Sequence, residues 1–247
     1  MLGDRGAFLN DLIASRPAFD GSTEADQVCT LVDEFLPRGA IDWLEVGAGD
    51  GRHLQHSVRT LSNGRTFRVV AVEPAPIGAV PKDVEWLSVP VENYVPDRRF
   101  GWVNMRHSAY YMADPVREIT RLANAISGTG AVALTHWSRR CILYRLHVAI
   151  CGEPQTIGCH GVEGIRTALA SLPGLELSPI HLFETHLSVD RLSRDPALGA
   201  AIYELARRGR TALSGRDPPN KVTDLLAALD RPNVRVNGLL FVRRNAI

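Results

Sequence analysis

The sequence predicts an α/β fold built on a parallel sheet, and three observations predict it. Short apolar runs of strand length alternate with segments of helical spacing from about residue 41 to residue 136. The first run opens into the glycine cluster Gly47-Ala48-Gly49-Asp50-Gly51. The second closes on an acid, Glu73. Strand–helix–strand alternation at this spacing calls for right-handed crossovers and hence parallel strands.

The elements follow in order. Leu9, Leu12 and Ile13 fall at helical spacing before Pro17 breaks the run. Ser22-Thr23-Glu24 reads as a helix start, with Val28, Leu31, Val32, Phe35 and Leu36 on one face and Pro37-Arg38-Gly39 as the stop. Strands are expected at Ile41–Val46, Phe67–Val72, Val84–Val89, Trp102–Met105 and Ala131–Thr135. A helix from about Pro115 to Ser127, ended by Gly128, precedes the last of these. The final third reads as strands at Leu175–Val189 and Val234–Arg243, separated by helices near Ala197–Arg208 and Lys221–Leu229.

The 247 residues suit one large domain, or one with a small addition, and 45% are hydrophobic, enough for a substantial core. Charge is balanced, 28 Lys and Arg against 27 Asp and Glu, so neither nucleic acid nor an acidic membrane is expected as a partner. The N-terminus shows no basic stretch leading into an apolar one. The longest apolar candidate, Cys141–Cys151, is broken by Arg145 and His147 and falls short of the ~20 residues of a membrane helix. The four cysteines lack C-x-x-C spacing, so reduced thiols in a cytoplasmic protein are expected. No metal site is expected either: His53 and His56 lie one helical turn apart and Cys159 adjoins His160, but no further ligand has fitting spacing.

The chemistry concentrates in Glu45-Val46-Gly47-Ala48-Gly49-Asp50-Gly51, which follows a strand and opens a helix. Glycines let the backbone turn tightly and approach a ligand, and the helix N-terminal amides beyond them need acceptors. Glu73, 22 residues past Gly51, ends the next strand, where doubly wound sheets offer a carboxylate to a ribose diol. The spacing is G-x-G-x-G rather than the G-x-G-x-x-G of nicotinamide binders, and Arg52 stands where the third glycine would be. Glu45 would repel a pyrophosphate but suits a cation. S-adenosylmethionine (SAM) carries a sulfonium and an ammonium and no phosphate, and fits this loop better.

Over residues 41 to 136 the arrangement resembles class I SAM-dependent methyltransferases. The resemblance implies a Rossmann-like seven-stranded sheet of order 3-2-1-4-5-7-6, the last strand antiparallel, with helices on both faces. It implies SAM as cofactor, held by Glu45, Gly47, Gly49, Glu73 and the backbone at Arg106. Val91 and Glu92, at the end of the third strand, would contact the adenine. Gly101 takes the place of the acid usual before the fourth strand. Neither the [DN]-P-P-[YF] signature of nucleobase amino-methyltransferases nor a Pro-Cys nucleophile occurs, so a small-molecule acceptor is favoured.

Asn104-Met105-Arg106-His107-Ser108-Ala109-Tyr110-Tyr111 is similar to the corresponding segment of the histamine N-methyltransferase family. So are Ser22-Thr23-Glu24 and Val236-Asn237-Gly238-Leu239-Leu240-Phe241. The similarity implies a helical substrate-binding cap over residues 1–40 on a methyltransferase domain over 41–247, with a helical insertion near 195–230. Glu24 and Asn237 would bind the substrate amine or imidazole, and Tyr110 and Tyr111 would wall the pocket. His107 stands where that family has glutamine, so another substrate is expected, and it is the best-placed base for an ammonium. Each residue also has a plainer reading: Glu24 as a helix-start acid, Tyr110 and Tyr111 as half-buried aromatics, Asn237 as a surface strand residue. The expected function is methyl transfer from SAM to a nitrogen of a small molecule, by a monomer or dimer. An O-methyltransferase or a non-catalytic SAM-binding protein is the alternative.

Overall fold

The computed structural model describes residues 21–75, 81–151, 157–186 and 234–245. The expected helical segment around Leu9–Ile13 and the two helices of the 195–230 insertion lie outside the described residues. Helix α1 (Gly21–Phe35) leads into strand β1 (Gly39–Val46). Helix α2 (Arg52–Leu61), β2 (Arg65–Val72), β3 (Val84–Leu87) and β4 (Phe100–Arg106) follow. Then come α3 (Pro115–Asn124), β5 (Ile126–Trp137), α4 (Ile142–Cys151) and α5 (Gly161–Ala170), and finally β6 (Leu175–Leu177), β7 (His181–His186) and β8 (Val234–Arg244).

The sheet runs β3-β2-β1-β4-β5-β8-β6, with β7 also on β8. Strands β1 to β5 pair in parallel, and β8 is antiparallel to β5, β6 and β7. This is the Rossmann-like order expected from the sequence, with one refinement. The strand expected over 175–189 is split into β6 and β7. Residues 178–180 stand opposite only two residues of β8, since Leu177 faces Val242 and His181 faces Leu239, which is a β-bulge. Pro179 has no N–H for the ladder. Ser178 repairs the gap, its N–H donating to Phe241 O (3.0 Å) and its Oγ accepting from Phe241 N–H (3.0 Å).

The helix expected to reach Ser127 ends at Asn124, and β5 starts at Ile126. Phe100 N–H takes the carbonyl of Ala125 (2.9 Å), so sheet pairing claims residues whose local pattern is helical. At its start Asp114 caps the helix through Arg117 N–H (3.0 Å), with Pro115 in the first turn. Gly101, expected before the fourth strand, lies within β4, at the register shift between Phe100 and Trp102.

Two apolar layers flank the sheet. Leu44, Val46, Val103, Met105, Val132, Leu134, Leu240 and Val242 meet α3 and α5. The alternate residues Trp43, Val69, Ala71, Trp102, Ala131, Ala133, Leu239 and Phe241 meet α1 and α2. Period-two alternation along strands buried on both faces produces this division. Helix α1 is therefore part of the core, its Ala25, Val28, Cys29 and Val32 all buried.

Arg65 bolts that layer together from inside. Its guanidinium donates to the carbonyls of Pro37 (2.9 Å), Leu61 (3.1 Å), Asp33 (3.0 Å) and Leu36 (2.9 Å) and pairs with the Asp33 carboxylate. One cation thus serves the C-terminal ends of α1 and α2. Replacing Arg65 by Met strands four carbonyls, and urea denaturation should show a loss of about 2–4 kcal/mol.

Candidate functional site

Strand β1 lies between β2 and β4, where the chain order of the sheet reverses, and the carboxyl ends of β1 and β4 diverge there into loops. The β1 loop runs through Gly47, Gly49 and Gly51, all at positive φ (75°, 59° and 72°). At Gly47 glycine is also required by space: a Cβ would sit 2.7 Å from Ser108 Cβ on the β4 loop. The Gly47 N–H donates to Val72 O (2.8 Å), which ties the loop to the end of β2. Gly51 then starts α2 with no side chain of its own to cap it, and Asp50 Oδ1 accepts from the first helical amide, Arg52 N–H (3.2 Å).

Glu73, nearly buried at the end of β2, closes the loop from the other side. Its Oε2 accepts from Gly49 N–H (3.0 Å) and its Oε1 from Ala75 N–H (3.0 Å). The two motifs found in the sequence are thus in direct contact. Glu45 is placed differently from the expectation of a carboxylate facing a bound cation. It is 2% exposed, inside the α1 face of the sheet, where its carboxylate accepts from Trp43 Nε1–H (3.0 Å) and from the Asn104 amide (3.0 and 2.9 Å). Side chains alternate along β1, and Glu45 falls on the buried face. Burial lifts its pKa to about 7, against the opposing pull of Asn104, Trp43 and Arg106.

Toward the carboxyl ends of the strands the α1 face turns polar. Asn104 and Arg106 of β4, Thr135 and Trp137 of β5 and Asn237 of β8 all lie on it, since Arg106 pairs with Thr135 and Trp137 with Asn237. Glu24, from the first turns of α1, enters this stripe and is 1% exposed. Its Oε1 accepts from Arg106 (2.8 Å) and meets His107 Nε2 (3.0 Å), while its Oε2 accepts from Asn237 (3.0 Å). A carboxylate expected to await a cationic ligand is already compensated by a buried arginine. A charge at this depth requires it. Asn237 is fully buried and belongs to the network, not to the surface.

His107 adopts φ 50°, and it is the single non-glycine residue at positive φ among the described residues. That conformation costs on the order of 1–2 kcal/mol and turns the side chain back over the strand ends. Its Nδ1 lies 3.1 Å from the Tyr110 hydroxyl, and the two rings are nearly parallel. The Tyr110 oxygen also accepts from Trp137 N–H (3.2 Å). The ring of Tyr110 stacks on His136 (4.0 Å) and meets Trp137 edge-on (4.5 Å), and Tyr111 lies edge-on to it at 6.1 Å.

The structure therefore brings Glu24, Arg106, His107, Tyr110 and Asn237 into one network, with Tyr111 beside it. Gly47, Gly49 and Glu73 form a second group joined to the first through Ser108. Val91 and Glu92 make none of the hydrogen bonds of either group. Val91 is buried in the opposite layer with its carbonyl held by Arg121 (2.7 Å), and Glu92 is exposed. Three members escaped the sequence reading: Asn104, His136 and Trp137. His136 is fully buried, its Nε2 donating to Gly158 O (2.8 Å), and burial first, then the neighbouring His107 imidazole, holds its pKa well below the usual imidazole value. A polar triplet, Thr135-His136-Trp137, ending an apolar strand was the available signal.

Among the described residues several buried polar atoms of this region have no hydrogen-bond partner: Arg106 Nε, Ser108 Oγ, Thr135 Oγ1, His136 Nδ1, Trp137 Nε1 and Asn237 Oδ1. Such atoms are rare in folded proteins, and their gathering here sets the region apart as a candidate site. No group of three or more possible metal ligands and no helix long and apolar enough to cross a membrane occurs among the described residues.

No family model and no curated protein matches the sequence. Solved structures do match the fold. YcgJ of Bacillus subtilis is 14% identical, with TM-score 0.54 over 90% of this chain and all of that one. The N-methyltransferase NodS of Bradyrhizobium japonicum WM9 is 14% identical, with TM-score 0.51 over 92% of this chain and 99% of that one. The [4+2]-cyclase SpnF is 17% identical, with TM-score 0.53 over 90% and 81%. At these identities the likeness establishes the shared fold, which carries more than one reaction.

Two predictions follow from the geometry. Glu45 is protonated in the folded protein between about pH 4.5 and 7 but ionised when unfolded, so the folded state binds the extra proton and stability falls as pH rises through that window. Glu45→Gln removes this slope. In urea denaturation the variant should gain about 3 kcal/mol on wild type between pH 4.5 and pH 8. Gly47→Ala drives the loop and the Ser108 segment apart and should cost about 2–4 kcal/mol by the same measurement.

Proposed function

We propose that this protein is a SAM-dependent methyltransferase acting on a small molecule, with a nitrogen as the acceptor atom. The observation that carries the reading is the contact between Glu73 and Gly49, which sets a carboxylate against the glycine loop at the switch point of the sheet. The residues present fit the cofactor. Asp50 and Glu73 lie at the loop, and the nearby Arg52 is turned to Asp50 (3.4 Å). This donor set disfavours a pyrophosphate and suits a donor that carries positive charge and a ribose diol. Gly47 and Gly49 would admit it, Glu73 would hold the diol, and Glu45 would act from within the strand without touching it.

When bound, SAM supplies a methyl group on an already activated sulfonium leaving group. What remains for the chain is to align the acceptor in line with that bond, exclude water and take up a proton. Positioning of this kind is worth roughly 7–11 kcal/mol in favourable cases. The aromatic cluster of Tyr110, Tyr111, His136 and Trp137 would hold the acceptor beside the cofactor, and a cation against these rings gains about 0.5–2 kcal/mol. The unpartnered atoms of Asn237, Trp137 and His136 offer it one donor and two acceptors.

An oxygen acceptor is the second reading, favoured by the pairing of Glu24 with Arg106. That pair leaves no uncompensated acid to select an ammonium over a neutral hydroxyl. A panel of amines, imidazoles and phenols with labelled SAM separates the two by which atom gains the methyl group.

Titration calorimetry tests the cofactor. Wild type should bind SAM and Glu73→Ala should bind it about 10- to 100-fold more weakly, the worth of one charge-assisted contact. The thermal melt of the variant confirms that the fold survives. Equal affinity in both proteins overturns the assignment.

A further inference from the structure

We propose that Tyr110 is the group that accepts the substrate's proton, with His107 and Glu24 behind it as a relay. This deepens the methyl-transfer reading and rests on it for the reaction served. Both nitrogens of His107 are engaged. Nε2 faces Glu24 Oε1 at 3.0 Å and Nδ1 faces the Tyr110 hydroxyl at 3.1 Å. A carboxylate that also pairs with Arg106 can only accept, so Nε2 carries the hydrogen and Nδ1 presents its lone pair to the Tyr110 O–H. The direction of the chain is then fixed: Tyr110 O–H to His107 Nδ1, and His107 Nε2–H to Glu24.

Four further observations fit a working relay better than a packing contact. His107 is held at φ 50°, a strained backbone that serves to aim its ring. The Trp137 N–H donates to the Tyr110 oxygen (3.2 Å) and is placed to steady a phenolate. Glu24 is buried beside the imidazole and would stabilise its protonated form, the role of the acid in hydrolase triads. The ring of Tyr110 meets those of His107, Tyr111, His136 and Trp137 and so ties the relay to the aromatic cluster. The ionisable groups around the relay are Glu24 from α1, Arg106 from β4, Tyr111 from the intervening turn and His136 from β5, and His136 is held neutral by burial.

The step balances without any further reactant. The acceptor's proton passes to Tyr110 Oη as the hydroxyl proton of Tyr110 passes to His107 Nδ1, leaving an imidazolium against the Glu24 carboxylate. The lone pair freed on the acceptor forms the new bond to the methyl carbon. The electrons of the broken carbon–sulfur bond stay on sulfur. Tyr110 is the residue that touches substrate, and His107 and Glu24 position and charge it. The relay serves acceptors that must lose a proton, namely ammonium and hydroxyl groups, and is idle for an imidazole nitrogen with a free lone pair.

Nitrogen-15 NMR of the imidazole, in wild type and in Tyr110→Phe, tests the relay without any turnover. His107 should be the Nε2–H tautomer in wild type, and its Nδ1 resonance should move to that of an acceptor without a donor in Tyr110→Phe. A Nδ1–H tautomer, or a Nδ1 resonance unmoved by the substitution, overturns the proposal. In turnover with labelled SAM, Tyr110→Phe and His107→Asn should each lose at least ~30-fold more on benzylamine and 4-ethylphenol than on 1-methylimidazole, where only the positioning contribution of the side chain is lost. Asparagine tolerates positive φ, so the second variant keeps the backbone. Losses equal across all three probes, or kcat on benzylamine and 4-ethylphenol within threefold of wild type, overturn it as well. Failure of wild type to bind SAM by calorimetry refutes the methyl-transfer reading instead and leaves the tautomer measurement to decide the relay.

Discussion

The site is organised by the need to compensate one buried charge. Glu24 carries its carboxylate into the interior on the first turns of α1, where an uncompensated anion would cost several kcal/mol. The chain answers with Arg106 and His107 from the end of β4 and Asn237 from β8. Those partners come from places 82 to 213 residues away in sequence, so the carboxylate acts as a clasp. It fixes how α1 lies across the strand ends, where β4 must stop and which face of β8 looks inward. The strained turn at His107 and the stacking of Tyr110 follow from that fixed frame.

Much of this was legible in the sequence because it is local. The glycine cluster after an apolar run and the acid ending the next run sit within one βαβ unit, and their contact through Gly49 is what the topology requires. The strand order came from the family resemblance that this pattern carries. Glu24, His107, Tyr110 and Asn237 could be named through resemblance, but their mutual bonds could not, since spacing says nothing about which donor reaches a given carboxylate. Glu45 points elsewhere than its place in the sequence suggests, for a related reason. A glutamate flanking a glycine loop reads as facing a ligand, whereas the parity of β1 turns it into the sheet against Trp43 and Asn104. His136 and Trp137 were missed because two large residues ending an apolar strand look like core until the neighbouring loop lays a tyrosine over them. The bulge at residues 178–180 and the early end of α3 were set by pairing with distant strands, which local propensity does not register.

The two halves of the site differ in character. The half around Gly47 to Gly51 is made of backbone amides and acids and contains little that can move a proton. The half from Arg106 to Trp137 and Asn237 is dense in titratable and aromatic groups. A division of that kind suits a reaction in which one reactant arrives already activated and the other must be prepared.

Arg106 stands on the boundary between them. It bonds Glu24 directly and, across the width of one strand, lowers the proton affinity of Glu45. A single guanidinium is thus shared by two enclosed carboxyl groups, one in each half. The charge of Arg106 is therefore felt on the strand that bears the glycine loop as well as at the carboxylate it bonds.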